Sequence, residues 1–313
     1  MQEEIFISGR DIPNIDPSLE IWHWPISVYL FLGGLAAGLL FFAGLITVLK
    51  KDKEYPATVK FASIVSPIAL TLGLIALFYD LTHKIYFWRL YTTIRIESPM
   101  SWGAWVLLII TPISFLWVMS YYSELFPKWK LNWNWLNNFE QFLIKNRRNM
   151  ALALIPLSII LGIYTGILLS AFNARPLWNN AILGPLFLTS GLSTGAATII
   201  LLAKQSKERH LFSKIDLGLI IIEIGLIIHM LMGMYAGSEV QLEAMQLLVG
   251  GDFTLMFFGF VIILGLIVPA FMEFLELKGY KIPVIIPAIL VLIGGLVFRF
   301  VMVEAGQITR YLY

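Results

Sequence analysis

Cysteine is missing from this sequence altogether. Its absence excludes disulfide bonds, thiolate metal sites and a resident iron–sulfur cluster. Histidine is scarce as well, because the sequence has only His23, His83, His210 and His229. Only His229 lies deep inside an apolar segment, and it has no second deep histidine with which to hold a haem b. We therefore expect no haem, no iron–sulfur cluster and no bound metal in this chain.

Charged residues are also few. They make up 13% of the chain, against 58% for hydrophobic residues, whereas soluble domains contain about 25% charged and about 45–50% apolar residues. A soluble fold cannot shield this much apolar surface from water, but a lipid bilayer accommodates it. The net charge of +2 gives no indication of a nucleic-acid partner. The first 20 residues lack the basic start of a cleavable signal, so we expect no signal peptide.

Eight segments reach the roughly 20 apolar residues that a membrane-spanning helix needs. The predicted spans are Pro25–Leu49, Lys60–Leu81, Ser101–Tyr122, Asn149–Ala171, Ala181–Ala203, Ser213–Ala236, Gly251–Phe274 and Lys281–Val303. The sequence thus predicts an all-α integral membrane protein. We also expect a short interfacial helix in the polar stretch His83–Met100, and a long surface loop over Ser123–Arg148.

The basic residues predict the orientation. Fifteen of the 22 lysines and arginines lie in the first, third, fifth and seventh loops, and six lie in the termini and the even loops. By the positive-inside rule, both termini then lie on the outer, periplasmic side of a cell inner membrane.

A short motif occurs twice. The first span contains Gly34-Leu35-Ala36-Ala37-Gly38 and the fifth contains Gly191-Leu192-Ser193-Thr194-Gly195. Four spans separate the copies, which indicates a parallel repeat about an axis along the membrane normal. We predict two four-helix bundles over residues 25–171 and 181–303, with outer segments over residues 1–24 and 304–313.

Ionisable residues within the spans are candidates for function, because a charge in the membrane is costly. The candidates are Asp80, Glu223, His229 and Arg299, together with Asp252 and Glu304 at span ends. In the predicted orientation most of these residues lie toward the outer side, as do His23 and Tyr164. Glu223 is the deepest, and we expect it to pair with a partner, to stay protonated or to belong to a proton path.

Several longer motifs occur in a fixed order along nearly the whole chain. They are WPISVYLFLGGLAAG over residues 24–38, Asp80-Leu81 followed by Phe87-Trp88-Arg89, SPMSWGAW over 98–105, YTGILLS over 164–170, SGLSTG over 190–195, and Gly294-Gly295, Arg299 and Ala305-Gly306-Gln307. In these motifs the chain resembles the NrfD-like membrane subunits, typified by the quinone-binding subunit of polysulfide reductase. One departure is His83-Lys84, where many relatives have a glycine and an arginine–proline pair.

The resemblance implies a function and partners. Members of this family bind menaquinol or ubiquinol near the outer face. They pass its electrons to a four-cluster ferredoxin-like iron–sulfur subunit and onward to a molybdopterin catalytic subunit. The quinone-site histidine, tyrosine, acid and arginine of the family match His23, Tyr164, Asp80 and Arg299.

The chemistry of these side chains agrees with the roles that the resemblance implies. A neutral histidine and a tyrosine hydroxyl both donate and accept hydrogen bonds, and histidine takes up a proton near neutral pH. We expect His23 and Tyr164 to hold the head group, Asp80 to take a released proton, and Arg299 to pair with Asp80 or Glu304.

A proton path is a further hypothesis. Its candidate residues are Ser190, Ser193, Thr194, Glu223, His229 and Asp252. Two other functions stay open at this point, namely a secondary transporter and a structural anchor without a quinone site. The direction of electron flow stays open as well, because the same site can oxidise quinol or reduce quinone.

Overall fold

The computed structural model describes residues 22–128 and 134–309. Eight helices in this part of the chain are long and apolar enough to cross a membrane, which confirms the predicted all-α membrane fold. They are α1 (Trp24–Val48), α2 (Ala57–Asp80), α3 (Pro99–Met119), α4 (Asn134–Ser170), α5 (Leu183–Leu202), α6 (Ser206–Tyr235), α7 (Leu255–Leu277) and α8 (Ile285–Ile308). No strand occurs among the described residues. Most of the predicted outer segments, residues 1–21 and 310–313, lie outside the described part.

The helices α1 and α5 form the centre of the molecule, since 72% of each apolar stretch is buried, against 28% for α6 and α7. Their two glycine motifs pack against each other. A Cβ atom at Gly191 would lie 2.8 Å from the Gly34 carbonyl oxygen, and one at Gly195 would lie 2.8 Å from Gly38. Small residues of this kind let two membrane helices approach closely without a hydrophobic driving force.

The remaining helices surround this centre. In the first half, α1 contacts α2 and α4, and α3 contacts both α2 and α4; in the second half, α5 contacts α6 and α8, and α7 contacts both α6 and α8. The contacts between α1 and α5 join the halves. The parallel repeat that would relate them stays a prediction.

Two helices have irregular turns. The first turns of α2 (Ala57–Ala62) and most of α7 (Leu255–Ile267) are π-helical, and Val268–Leu277 completes α7 as an α-helix. At the start of α2, the Glu208 carboxylate accepts hydrogen bonds from the backbone N–H groups of Ala57 (3.1 Å) and Thr58 (2.8 Å) and from the Thr58 hydroxyl (2.7 Å). A buried acid thus satisfies free donors at a helix N-terminus.

The predicted loop Ser123–Arg148 is wrong over most of its length, because α4 already begins at Asn134. Its polar first turns pack on the short helix Tyr122–Leu125. The Glu140 carboxylate accepts hydrogen bonds from the Ser123 N–H (2.9 Å) and hydroxyl (2.6 Å), and Arg147 donates to Glu124 at 2.9 Å. Polar side chains suit a helix that extends beyond the apolar layer. Trp129 and Trp133 of that predicted loop lie outside the described residues.

The eight spans alternate in direction. Each half of the chain therefore places four helix termini at each end of the molecule. The His23 end, as we name it, contains the start of α1, the end of α2, the start of α3 and the end of α4. Between α2 and α3 the polar stretch forms two short helical segments, Lys84–Tyr86 and Arg89–Thr92. Hydrogen bonds from the Ser101 hydroxyl to the Thr93 carbonyl (3.2 Å) and from the Trp102 indole to the Ile96 carbonyl (2.7 Å) fix this segment to α3.

Candidate functional site

The first site is a cavity of about 190 Å³ at the His23 end, enclosed by α1 to α4 and the segment between α2 and α3. We call it the tyrosine cavity, because Tyr29, Tyr91 and Tyr164 line it. The other lining residues are mostly apolar, including Ile26, Leu77, Leu90, Ala104, Leu107 and Leu168. Asp80 is the acidic group in its wall.

His23 and Asp80 form a pair beside the tyrosine cavity. His23 is the residue before α1, Asp80 is the last residue of α2, and the His23 Nδ1 lies 3.1 Å from the Asp80 Oδ1. The His23 side chain is 60% exposed and that of Asp80 only 9%. Pro25 in the first turn of α1 suits a helix start, since it has no N–H to satisfy. The pair thus joins the cavity wall to the outside of the helix bundle.

Gln307 fixes the backbone next to His23. Its side-chain amide accepts a hydrogen bond from the Trp22 N–H at 2.7 Å and donates one to the Trp22 carbonyl at 2.7 Å. Arg175 in turn donates to the carbonyls of Gln307 (2.6 Å) and Thr309 (2.8 Å). The end of α8 therefore positions the segment that contains His23, which gives the Ala305-Gly306-Gln307 motif a structural role.

The two buried tyrosines stand side by side. Tyr29 on α1 is 3% exposed and Tyr164 on α4 is 6% exposed, and both line the tyrosine cavity. Tyr91 approaches from the connecting segment, where burial raises its pKa. Each phenol hydroxyl can both donate and accept a hydrogen bond.

Two further hollows adjoin the tyrosine cavity. One, of about 750 Å³, shares Leu81, Thr82, Leu90 and Met100 with it and extends under the connecting segment to Arg89 and Arg95. The other, which we call the α2 groove, has about 270 Å³ and shares Leu77, Leu81, Leu90 and Tyr91. Its remaining lining is apolar except for Thr71, and it includes Ile75 and Phe78, which are more than 40% exposed on the outer surface of α2.

Arg299 lies apart from this cavity, in the second half of the molecule. It is 1% exposed, and its guanidinium donates to the Ser190 hydroxyl (2.5 Å) and to the carbonyls of Phe187 (3.2 Å) and Gly295 (3.3 Å). The acid that faces it is Glu223, 2% exposed and also in reach of Ser190. The expected pairing with Asp80 or Glu304 is wrong, because Asp80 faces His23 and Glu304 is exposed.

The proton-path candidates divide into four groups. Ser190 and Glu223 meet at Arg299, and the Ser193 hydroxyl donates to the Asp216 carboxylate at 2.6 Å. The Thr194 hydroxyl is bonded within α5, to the Gly191 carbonyl at 3.0 Å. His229 and Asp252 are exposed on the surface of the described chain, so the structure does not bring these two to the buried group.

Four residues that the structure brings to these sites were not predicted from the sequence. Tyr29 and Tyr91 line the tyrosine cavity, while Asp216 and Glu273 are buried carboxylates on α6 and α7. The sequence could have identified Asp216 and Glu273 as candidates, because both acids lie inside predicted spans. Nothing in the sequence distinguished Tyr29 and Tyr91 from other aromatic residues of an apolar chain. Within the described residues, no group of three or more histidines and acids has a metal-binding arrangement.

Comparison with known proteins identifies relatives along nearly the full chain. The sequence model of a family described as "Polysulphide reductase, NrfD" matches residues 13–310. The C chain of polysulfide reductase from Wolinella succinogenes is 31% identical over 302 residues, covering 92% of this protein and 94% of the relative. Protein NrfD of Escherichia coli is 31% identical over 309 residues, covering 92% and 96%. A protein NrfD homolog of Haemophilus influenzae is 28% identical over 320 residues, covering 95% and 98%.

Proposed function

The chain belongs to the polysulphide reductase NrfD family, and on that premise we propose that it oxidises quinol in the tyrosine cavity as the membrane subunit of a respiratory complex. The observation that supports this proposal best is the His23–Asp80 pair beside a cavity that also contains the Tyr29 and Tyr164 hydroxyls. Menaquinol and ubiquinol both fit this chemistry.

The walls of the tyrosine cavity suit a quinol head group. Its aliphatic side chains offer apolar contacts to a ring, and its few polar groups are hydroxyls and the Asp80 carboxylate, as in other small-molecule sites. The His23 imidazole lies beside the cavity, 3.1 Å from Asp80. The isoprenoid tail would lie in the α2 groove, which adjoins the cavity and includes exposed apolar residues of α2. Lipid-facing residues at this groove give a membrane-dissolved substrate a direct approach.

Quinol oxidation releases two protons and two electrons, and the His23–Asp80 pair suits the transfer of the protons. A neutral His23 accepts a proton from a quinol hydroxyl, and the Asp80 carboxylate 3.1 Å away stabilises the resulting cation. The high exposure of His23 then lets this proton leave to the solvent, and Asp80 in the cavity wall accepts the second proton and passes it to the deprotonated His23. Tyr164, supported by Tyr29, holds the second quinol oxygen.

The electrons require a partner, since the chain itself has no cysteine for a cluster. We propose a four-cluster ferredoxin-like iron–sulfur subunit at the His23 end, followed by a molybdopterin catalytic subunit. Exposed aromatic residues at this end support a docking surface there, since Trp24, Trp88 and Trp102 are each about half exposed (59%, 48% and 50%). The same residues also suit the aromatic belt of a membrane interface.

We further propose that the chain translocates protons during quinol oxidation. Ser190, Ser193 and Glu223 lie in the buried second half of the chain, where they would conduct protons from the opposite end toward the centre. Electron transfer to a partner at the His23 end moves no charge across the membrane. Any membrane potential during turnover would therefore come from protons that move through this chain.

The test uses Tyr164→Phe and His23→Ala in the purified complex. We expect each substitution to abolish quinol-dependent reduction and to leave the dye-driven activity of the catalytic subunit intact. Tyr235→Phe and His210→Ala are matched controls on exposed surfaces and should retain full quinol activity. Retained quinol activity in both Tyr164→Phe and His23→Ala would contradict the site.

The two alternative functions, a structural anchor and a secondary transporter, predict different results. A structural anchor would purify with the partner subunits but without bound quinone and without quinol activity. A secondary transporter would purify without an iron–sulfur subunit.

A further inference from the structure

Two buried carboxyl groups have no role in the quinol site described above. Asp216 on α6 is 0% exposed and Glu273 on α7 is 1% exposed. Both lie toward the end of the molecule opposite to His23, because α6 begins there at Ser206 and α7 ends there at Leu277. Burial of an ionised acid costs several kcal/mol unless a partner compensates it. The groups around Asp216 and Glu273 therefore decide whether these carboxyl groups are protonated.

The two side chains face each other and have few other partners. The Asp216 Oδ1 accepts the hydrogen bond from Ser193 at 2.6 Å. The Asp216 Oδ2 and both oxygens of Glu273 have no hydrogen-bond donor in the described part of the chain, although each carboxyl lies in hydrogen-bonding reach of the other. Two carboxylates accept only, so this contact is a hydrogen bond only if one of them holds a proton.

The surrounding charges favour that proton. No lysine, arginine or histidine in the described ranges lies within salt-bridge distance of either acid. The titratable groups that act on the pair are Glu223, on the same helix as Asp216, and Glu276, one turn after Glu273. Both are acidic and oppose a second negative charge, while the guanidinium of Arg299 is bonded at Ser190.

Polar groups continue from the pair in both directions. Toward the opposite end, the Glu276 carboxylate is half-buried and accepts a hydrogen bond from Ser213 at 3.1 Å. Toward the centre, Ser193 lies one turn along α5 from Ser190, which bonds to Arg299 and is in reach of Glu223. The pair therefore lies between a half-exposed acid and the buried Arg299 group.

We propose that Asp216 and Glu273 share one proton and form the site through which protons from the opposite end reach Ser193 and the Glu223–Arg299 group. A proton arrives from Glu276 as the shared proton moves on toward Ser193, so one O–H bond forms for each that breaks and no electron moves. This role rests on the proposed function, since quinol oxidation would drive the movement.

The protonation state is tested first, on the purified wild-type complex, by infrared difference spectroscopy against the double variant Asp216→Asn with Glu273→Gln at neutral pH. We expect the difference to contain one carboxylic-acid C=O band, shifted in D₂O, and one set of carboxylate bands. Two carboxylates would overturn the shared proton and, if their bands respond to sodium, indicate a cation site. Two carboxylic acids would overturn it as well.

The transport role is tested in liposomes that contain the complex. Asp216→Asn and Glu273→Gln should each lose the membrane potential formed per quinol oxidised, while quinol oxidation continues when an ionophore collapses the potential. Glu239→Gln, which removes an exposed acid at the start of the short helix Glu239–Leu248, is the matched control and should keep both.

The outcomes separate this inference from the proposed function. An absence of quinol oxidation in the wild type contradicts the proposed function, whereas the infrared result still decides whether the proton is shared. Wild-type quinol oxidation without a potential, or an unchanged potential in both variants, overturns the transport role. A purely structural link between α6 and α7 would give that unchanged potential.

Discussion

At the scale of single residues, Tyr164 depends on the absence of a side chain on α3. A Cβ atom at Gly103 would overlap the Tyr164 ring, with clashes at its Cζ, Cε2 and hydroxyl atoms. The ring is buried on α4 and borders the tyrosine cavity, so it can yield only by moving toward the space that the quinol head group would occupy. Gly103 therefore sets the position of the hydroxyl that we assign to the quinol.

Gly103→Ala should accordingly lower quinol oxidation without preventing assembly. A displacement of about 1 Å at a reacting group costs on the order of 10²-fold in rate, and we expect a loss of that order in quinol-dependent turnover with dye-driven activity unchanged. Gly218→Ala, where an added Cβ meets nothing within 4 Å, is the matched control. Wild-type turnover in Gly103→Ala would show that the phenol needs no fixed position.

The sequence was a good guide to residues near span ends and a poor one to contacts between distant helices. Asp80 and Tyr164 line one cavity and His23 lies beside it, 3.1 Å from Asp80, while the common role that was predicted for the three stays a prediction. The predicted partner of Arg299 was wrong, because its choice among Asp80, Glu304 and Glu223 depends on how α8 packs against α5. No single-helix pattern contains that information.

At the scale of helices, the start of α2 depends on a buried acid from α6. Glu208→Ala would remove three hydrogen bonds at once and leave two backbone N–H groups buried without an acceptor. Unpaired buried donors cost about 1–3 kcal/mol each, so we expect a clear loss of thermal stability in detergent. Lys207→Ala, one residue away, removes an exposed ion pair with Glu54 and a cation–π contact with Tyr55 at 5.8 Å, and should change stability little. Equal stability in the two variants would contradict the capping role.

Substitution of alanine for two glycines in these helices should change the free energy of unfolding in opposite directions. At Gly195 an added Cβ would lie 2.8 Å from the Gly38 backbone, whereas at Gly225 it would meet nothing within 4 Å. We expect Gly195→Ala to destabilise by about 1–3 kcal/mol through overpacking. Gly225→Ala should stabilise by about 0.5–1 kcal/mol, because alanine loses less backbone entropy in a helix. Thermal unfolding in detergent measures both, and an unchanged or higher stability of Gly195→Ala would contradict the α1–α5 contact.

The length of the apolar segments predicted that the eight helices exist, but it did not predict where each helix begins. The starts of α4 and α6 lie well before the predicted spans, at Asn134 and Ser206, because their first turns are polar and lie beyond the apolar stretch that defined the prediction. Contacts such as Glu140 with Ser123 stabilise these turns. Hydropathy reports where lipid surrounds a helix, not where its hydrogen bonds begin.

At the scale of the whole molecule, the two halves contribute different chemistry. The helices α1 to α4 enclose the tyrosine cavity at the His23 end, and α5 to α8 contain the buried acids and Arg299. The close contact of α1 with α5 joins them, since Gly34 lies next to both Gly191 and the Arg299 guanidinium. The Arg299 guanidinium thus lies directly beside α1, the helix that also contains Tyr29.

The orientation of these ends decides which compartment supplies and receives protons, and the absence of cysteine makes it directly measurable. Single cysteines at Glu239, exposed at the His23 end, and at Lys53, exposed between α1 and α2 at the opposite end, leave the buried core untouched. The excess of basic residues at the Lys53 end predicts that this end lies in the cytoplasm. In intact cells without an outer-membrane barrier, a membrane-impermeant maleimide should label Glu239→Cys at once and Lys53→Cys only after lysis. The reverse pattern would place the quinol site on the cytoplasmic side, and protons released by His23 would then enter the cell instead of leaving it.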